Sequence, residues 1–135
     1  MQSQSPDTAR RPVVVPAADR QAPAGQQTSG MQREQAFAAD DRWVGYVTSD
    51  PGEWSGWHHH GGTDTYFYVI SGGIEFEYGA DGSTMAVAAG DFCHVPRGLV
   101  HRERPQPGAR AELVLVRMGQ GPAVVNVDGP DDAGS

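Results

Sequence analysis

Turn signals interrupt this 135-residue chain so often that no stretch is left for a long helix. They fall at Asp50-Pro51-Gly52, Gly61-Gly62, Gly72-Gly73, Gly79-Ala80-Asp81-Gly82, Gly90-Asp91 and Gly98. Gly, Pro and Asp mark turns because they supply the backbone angles that other residues resist. Between them lie β-type runs at Arg42–Thr48, Trp54–His60, Thr65–Ser71, Ile74–Tyr78, Ser83–Ala88, Asp91–Val95, Val100–Arg104, Glu112–Met118 and Ala123–Val127. Short strands at this spacing, without a 3.6-residue period, specify an all-β sandwich or barrel. Glu112–Met118 alternates only weakly and is expected to be buried on both faces.

The length suits a single domain. Residues 1–28 are rich in Gln, Ser, Ala, Pro and Asp, and are expected to form a disordered tail, since they bury too little apolar surface to offset ordering entropy. Val13 to Val15 could still add to a partner as an edge strand. Thr28-Ser29 followed by Glu34 reads as a short helix start or a strap. The barrel is expected over 29–127, with a loose acidic tail over 128–135.

The net charge of −7 argues against a nucleic-acid backbone as partner. The single cysteine, Cys93, allows no intrachain disulfide. No apolar run approaches the roughly 20 residues that span a bilayer, and no signal-peptide core is seen at the N-terminus. A cytoplasmic protein is the expectation.

Three of the five histidines are adjacent, in Trp57-His58-His59-His60, and His101 follows Pro96-Arg97-Gly98. Neutral imidazole is the commonest metal ligand. Side chains two apart on a strand share a face. His58 and His60 therefore point together, His59 points away, and His101 can complete a site for one divalent transition metal per chain.

The same residues lie in two patterns that resemble the motifs of the cupin superfamily. The first takes Gly52, five spacers, His58, His60 and a closing Gly72; the second takes Gly90, Pro96, Gly98 and His101. Pro105 stands where Asn is usual. The resemblance covers Trp43 to Met118. It implies a double-stranded β-helix, the jelly-roll barrel of cupins, with His58, His60 and His101 holding a metal inside. The glutamate that normally joins them is missing. Thr65 occupies its place counted back from Gly72, and Asp64 would fit the motif's shorter spacing. Strand parity favours Thr65 as the inward residue.

Three neutral imidazoles leave a divalent ion its full charge and open positions for water, an anionic chelating substrate or dioxygen. Iron or zinc is expected first; manganese, nickel and copper also suit the donors. The resemblance implies a metal-dependent enzyme acting on a small molecule, with secondary-metabolite biosynthesis as one setting for it. Some cupin dioxygenases use only three histidines, so the missing glutamate does not abolish the site, and dioxygenase-type chemistry is favoured because a three-His ion leaves room for substrate and oxygen together. The alternatives are zinc-dependent lyase, isomerase, cyclase or bond-forming chemistry, and a non-catalytic small-molecule-binding barrel.

Parity turns Glu103 to the cavity with His101, as a general base or an acceptor behind a ligand imidazole. The plainer alternative is an ion pair with Arg42, Arg102 or Arg104 at the barrel mouth. Asp64 is the other candidate proton carrier. Phe67, Val69 and Trp57 are expected to shape the substrate pocket. Trp43 and Trp54 serve as barrel packing or aromatic wall, His94 as a half-buried hydrogen-bonded residue, and Cys93 as a small buried hydrophobe. Tyr66 and Tyr68 face outward, on a surface suited to a homodimer.

Overall fold

The structure is a computed structural model that describes residues 11–122 and 124–130. Its strands are β1 (Met31–Ala39), β2 (Arg42–Ser49), β3 (His58–His59), β4 (Thr63–Ser71), β5 (Gly73–Tyr78), β6 (Ser83–Ala88), β7 (Phe92–Val95), β8 (His101–Pro105), β9 (Ala111–Gly119) and β10 (Val125–Asn126). They form two five-stranded sheets, ordered β1-β2-β9-β4-β7 and β10-β3-β8-β5-β6. Every pairing is antiparallel. From β3 onward the chain passes repeatedly between the sheets, as a double-stranded β-helix requires. Phe67 of β4 stacks on Phe76 of β5 across the gap, with ring centroids 5.6 Å apart.

Strict alternation builds the interior. On β4, Thr63, Thr65, Phe67 and Val69 are buried, while Tyr66, Tyr68 and Ile70 are exposed. On β9, Ala111, Leu113, Leu115 and Arg117 point inward. Val114 is exposed, so β9 is not buried on both faces as its apolar composition suggested. Glu112 on its outer face accepts hydrogen bonds from Ser71 Oγ (2.6 Å) and Tyr46 Oη. The β4–β5 turn needs glycine at Gly72, where φ is +73° and an added Cβ would meet Arg110 O at 2.7 Å.

The main departure from expectation is β1. Met31–Ala39 is a strand hydrogen-bonded along β2, where a helix start or strap was expected. Its residues are mostly polar, so pairing with β2 and burial of Met31 and Arg33 override local propensity. Pairing in the Trp54–His60 run is confined to His58–His59, and in the Ala123–Val127 run to Val125–Asn126.

Residues 11–28 contain two short 3₁₀ turns, Ala17–Asp19 and Ala24–Gln26, and Val13 and Val14 are exposed. Gln27 and Thr28 join the edges of the two sheets. Arg33 N donates to Gln27 Oε1 (2.8 Å), Asn126 Nδ2 donates to Gln27 O (3.1 Å), and Thr28 Oγ1 donates to Asn126 Oδ1 (3.0 Å). The expected tails fall partly on residues 1–10 and 131–135, outside the described residues. Among the described residues, no helix is long and apolar enough to cross a membrane.

Candidate metal centre

His58 and His101 are direct register partners on β3 and β8, with ring centroids 4.3 Å apart. His60, two residues on, turns to the same face, 5.4 Å from His58 and 5.3 Å from His101. All three are buried, and each offers a ligand atom within 4.8 Å of the others'. His59 points away and accepts a hydrogen bond from Gly61 N at its Nδ1 (3.0 Å).

The rings are oriented from behind. His58 Nδ1 lies 2.9 Å from Gly56 O, and His101 Nδ1 lies 3.0 Å from Leu99 O. A carbonyl only accepts, so Nδ1 carries the proton and Nε2 keeps its lone pair toward the interior. The pKa of His58 is held well below the usual imidazole value, first by burial, then by His101, Arg33 and His60. It therefore stays in the neutral, ligating form. His58 Nε2 has no hydrogen-bond partner. A buried nitrogen lone pair left unmatched is costly, and nitrogen donors with a nearby carboxylate suit a divalent transition ion. The residues present fit such an ion.

Glu103 lies on the lone-pair side. Its Oε2 is 3.6 Å from His101 Nε2 and 3.7 Å from His58 Nε2. Ser55 fixes its backbone, accepting from Glu103 N at Oγ (3.0 Å) and donating to Glu103 O (2.8 Å). Main-chain carbonyls, not Glu103, stand behind the rings. The mouth ion pair is also absent: Arg102 pairs with Glu77 (2.7 Å), Arg104 with Glu75 (2.8 Å) and Arg42 with Asp41 (2.9 Å).

Asp64 does not join the cluster. It lies outward between inward Thr63 and Thr65, and accepts from Arg97 Nη2 (2.8 Å) and pairs with His94 Nε2 (3.0 Å). These two partners, Arg97 first, lower its pKa to about 2. Trp57 also lies elsewhere than expected. As the neighbour of inward His58 it takes the opposite face, and its ring packs on Arg102, 4.7 Å away. Trp54 stacks on Arg104 at 4.3 Å. Trp43 is the tryptophan that faces inward, its Nε1 donating to Gln35 Oε1 (2.9 Å).

Phe67 and Val69 line the interior as expected. Phe76 stacks on His101, with centroids 5.3 Å apart, and helps line an apolar cavity of about 210 Å³ with Tyr78, Met85, Cys93 and Leu99. Cys93 is half-buried, and His94 is more exposed than expected. Sequence reasoning missed Arg33 and Arg117, both fully buried on the sheet facing the histidines. Parity from Leu113 and Leu115 would have turned Arg117 inward; Arg33 gave no such signal.

A double-stranded β-helix with a buried three-histidine cluster defines a class of small barrel protein built around a candidate metal centre. Residues 45–117 match the cupin domain pattern, and the chain belongs to the cupin family. It is 38% identical over 48 residues to the uncharacterized protein YdbB of Bacillus subtilis, a match spanning 36% of this chain and 42% of that protein. A Klebsiella pneumoniae protein with a double-stranded β-helix domain is 19% identical, covering 88% of this chain and all of that one, with a TM-score of 0.67. The polyketide cyclase RemF from Streptomyces resistomycificus is 21% identical, covering 91% and 90%, with a TM-score of 0.70. At such identities the likeness to the two solved structures is one of fold.

Proposed function

We propose that this protein is a metal-dependent enzyme acting on a small molecule inside its barrel. His58, His60 and His101 would hold one divalent transition ion, iron or zinc first. One observation carries the reading: the Glu103 carboxylate and the Nε2 atoms of His58 and His101 converge on one buried space. Three lone-pair-bearing groups facing each other repel unless a cation or proton lies among them.

When bound, the ion would supply Lewis acidity, and iron would add redox chemistry. The chain's own residues do the rest. Gly56 O and Leu99 O fix the imidazoles, the barrel wall excludes water, and Glu103 moves a proton to or from a substrate atom beside the cluster. The three-nitrogen set supports dioxygenase-type chemistry. Glu103 supports a second, redox-neutral reading, in which proton transfer drives a lyase, isomerase or cyclase step. The fold likeness to a polyketide cyclase is compatible with that reading.

Elemental analysis combined with oxygen uptake tests both. Metal near one per chain and oxygen consumption with diketones, catechols or thiols supports the dioxygenase. Turnover without oxygen supports the second reading. A chain that stays metal-free after reconstitution with iron, zinc, manganese and nickel overturns the enzyme proposal and leaves the non-catalytic binding barrel. We also propose a homodimer through the outer face of β4 and β7, where Tyr66, Tyr68, Ile70 and Phe92 are exposed. Light scattering at a monomer mass would refute it.

A further inference from the structure

Seven buried side-chain nitrogen or oxygen atoms among the described residues lack a hydrogen-bond partner: Gln26 Oε1, Arg33 Nε and Nη2, His58 Nε2, Thr65 Oγ1, and Arg117 Nη1 and Nη2. They belong to one region. Arg117 is the register partner of Thr65, and Gln26 O accepts from Arg33 Nη1 (3.0 Å). The charge of Arg33 is felt at both Arg117 and His58. Buried polar atoms are almost always paired, so a cluster of orphans at one place marks space for something else to pair with them.

The two arginines set the chemistry of that partner. Arg33 is 0% and Arg117 1% exposed. Neither forms a salt bridge among the described residues. The free atoms of Arg33, Nε and Nη2, form one edge of its guanidinium, and those of Arg117, Nη1 and Nη2, form another. Each edge is a two-donor fork of the shape that grips a carboxylate bidentately. Arg33 is anchored by Nη1 to Thr28 Oγ1 (2.8 Å). The Arg117 guanidinium carbon lies over the Trp43 ring, 4.1 Å from its centroid, which offsets part of its desolvation. Burial lowers the pKa of Arg33 to about 10 and of Arg117 to about 9, so both stay charged at neutral pH. Inside the barrel, two cations face one carboxylate, Glu103, and a divalent ion would widen the excess. A cavity of about 160 Å³ lies beside Arg117, lined also by Trp43, Gln26, Gln35, Thr63 and Asp40.

We propose that the substrate carries a carboxylate, gripped by the forks of Arg33 and Arg117 on one sheet while its reacting end faces the histidines on the other. This rests on the enzyme reading above and names its substrate class. Arg33 and Arg117 are specificity-determining residues, and Gln26 Oε1 and Thr65 Oγ1 are free to accept hydrogen bonds from the same molecule.

The test is an NMR titration of chelator-treated protein with malonate, its neutral analogue malonamide, and inorganic phosphate, read at the Trp43 indole and arginine Nε signals. Saturable malonate binding is expected, with no response to malonamide and at least tenfold weaker binding of phosphate. R33M and R117M should each weaken malonate about 10- to 100-fold, since hydrogen bonds to charged groups are strong. R117K should lose most of the same affinity, because it keeps the charge but not the fork. No saturable malonate binding, equal binding of malonamide or phosphate, or full affinity in R33M and R117M overturns the proposal. If R33M does not fold, R33K and R117M decide. Metal content is measured on the same samples. A chain that takes up metal without malonate refutes this inference alone; one that binds malonate but never takes up metal refutes the enzyme reading alone.

Discussion

Glu103 and His101, two residues apart on β8, meet on the same side of the strand, Oε2 lying 3.6 Å from Nε2. The imidazole is held from behind by Leu99 O, so the carboxylate addresses its free nitrogen. Glu103→Gln removes the charge and keeps the shape. Turnover of that variant is expected to fall 10²- to 10⁴-fold, with metal content near one per chain. Kinetics and elemental analysis on one preparation check this; turnover and content both unchanged would remove Glu103 from the reaction.

Metal content should vanish in the His58→Ala His101→Ala double variant. Three donors converge on one space, and losing two leaves His60 alone. Full metal retention would place the ion elsewhere.

Asp64 supplies the pH prediction. With its folded pKa near 2 and the unfolded value near 3.9, its ionised form is favoured by folding. That contribution is complete above about pH 4 and is lost as pH falls toward 2. An NMR titration of the Asp64 carboxyl should give a midpoint near 2; a midpoint close to 4 would mean that Arg97 does not hold it in solution.

The Cys93 thiol is pushed up to about 11, first by burial and then by the charge of Glu103. Alkylation by iodoacetamide at pH 8 should be about 100-fold slower than in the unfolded chain, following the thiolate fraction. Glu103→Gln should speed it. Equal rates in folded and unfolded protein would contradict the buried placement.

Gly45 makes room for Trp43. A methyl group there would overlap the indole and come within 2.5 Å of Glu34 O. Gly45→Ala should therefore cost about 1–3 kcal/mol by overpacking, read as a lower denaturation midpoint. No shift would mean that the indole moves aside without penalty.

The histidine cluster was legible in the sequence because its determinants are local. Strand parity turns His58 and His60 to one face, and the resemblance of Gly90, Pro96, Gly98 and His101 to the second cupin motif brings in the third ligand. Parity likewise favoured Thr65 over Asp64 as the inward residue, and the structure sends Asp64 to Arg97. Nearness to His58 in the chain suggests Trp57 as a pocket residue, but strand alternation sends it to the opposite face, onto Arg102. Arg33 was not legible at all. The Gln32-Arg33-Glu34-Gln35 segment has no strand-like composition, and only pairing with β2, ten or more residues away for most of its length, makes it a wall of the barrel.

The carbonyls that steer His58 and His101 lie only two residues upstream of each ring. The orientation of these two rings is therefore set by the chain leading into β3 and β8, while the facing sheet carries Arg33, Thr65 and Arg117. The barrel is divided by labour: one wall keeps the three histidines in register, and the other carries the charge of Arg33, which reaches His58 across the interior.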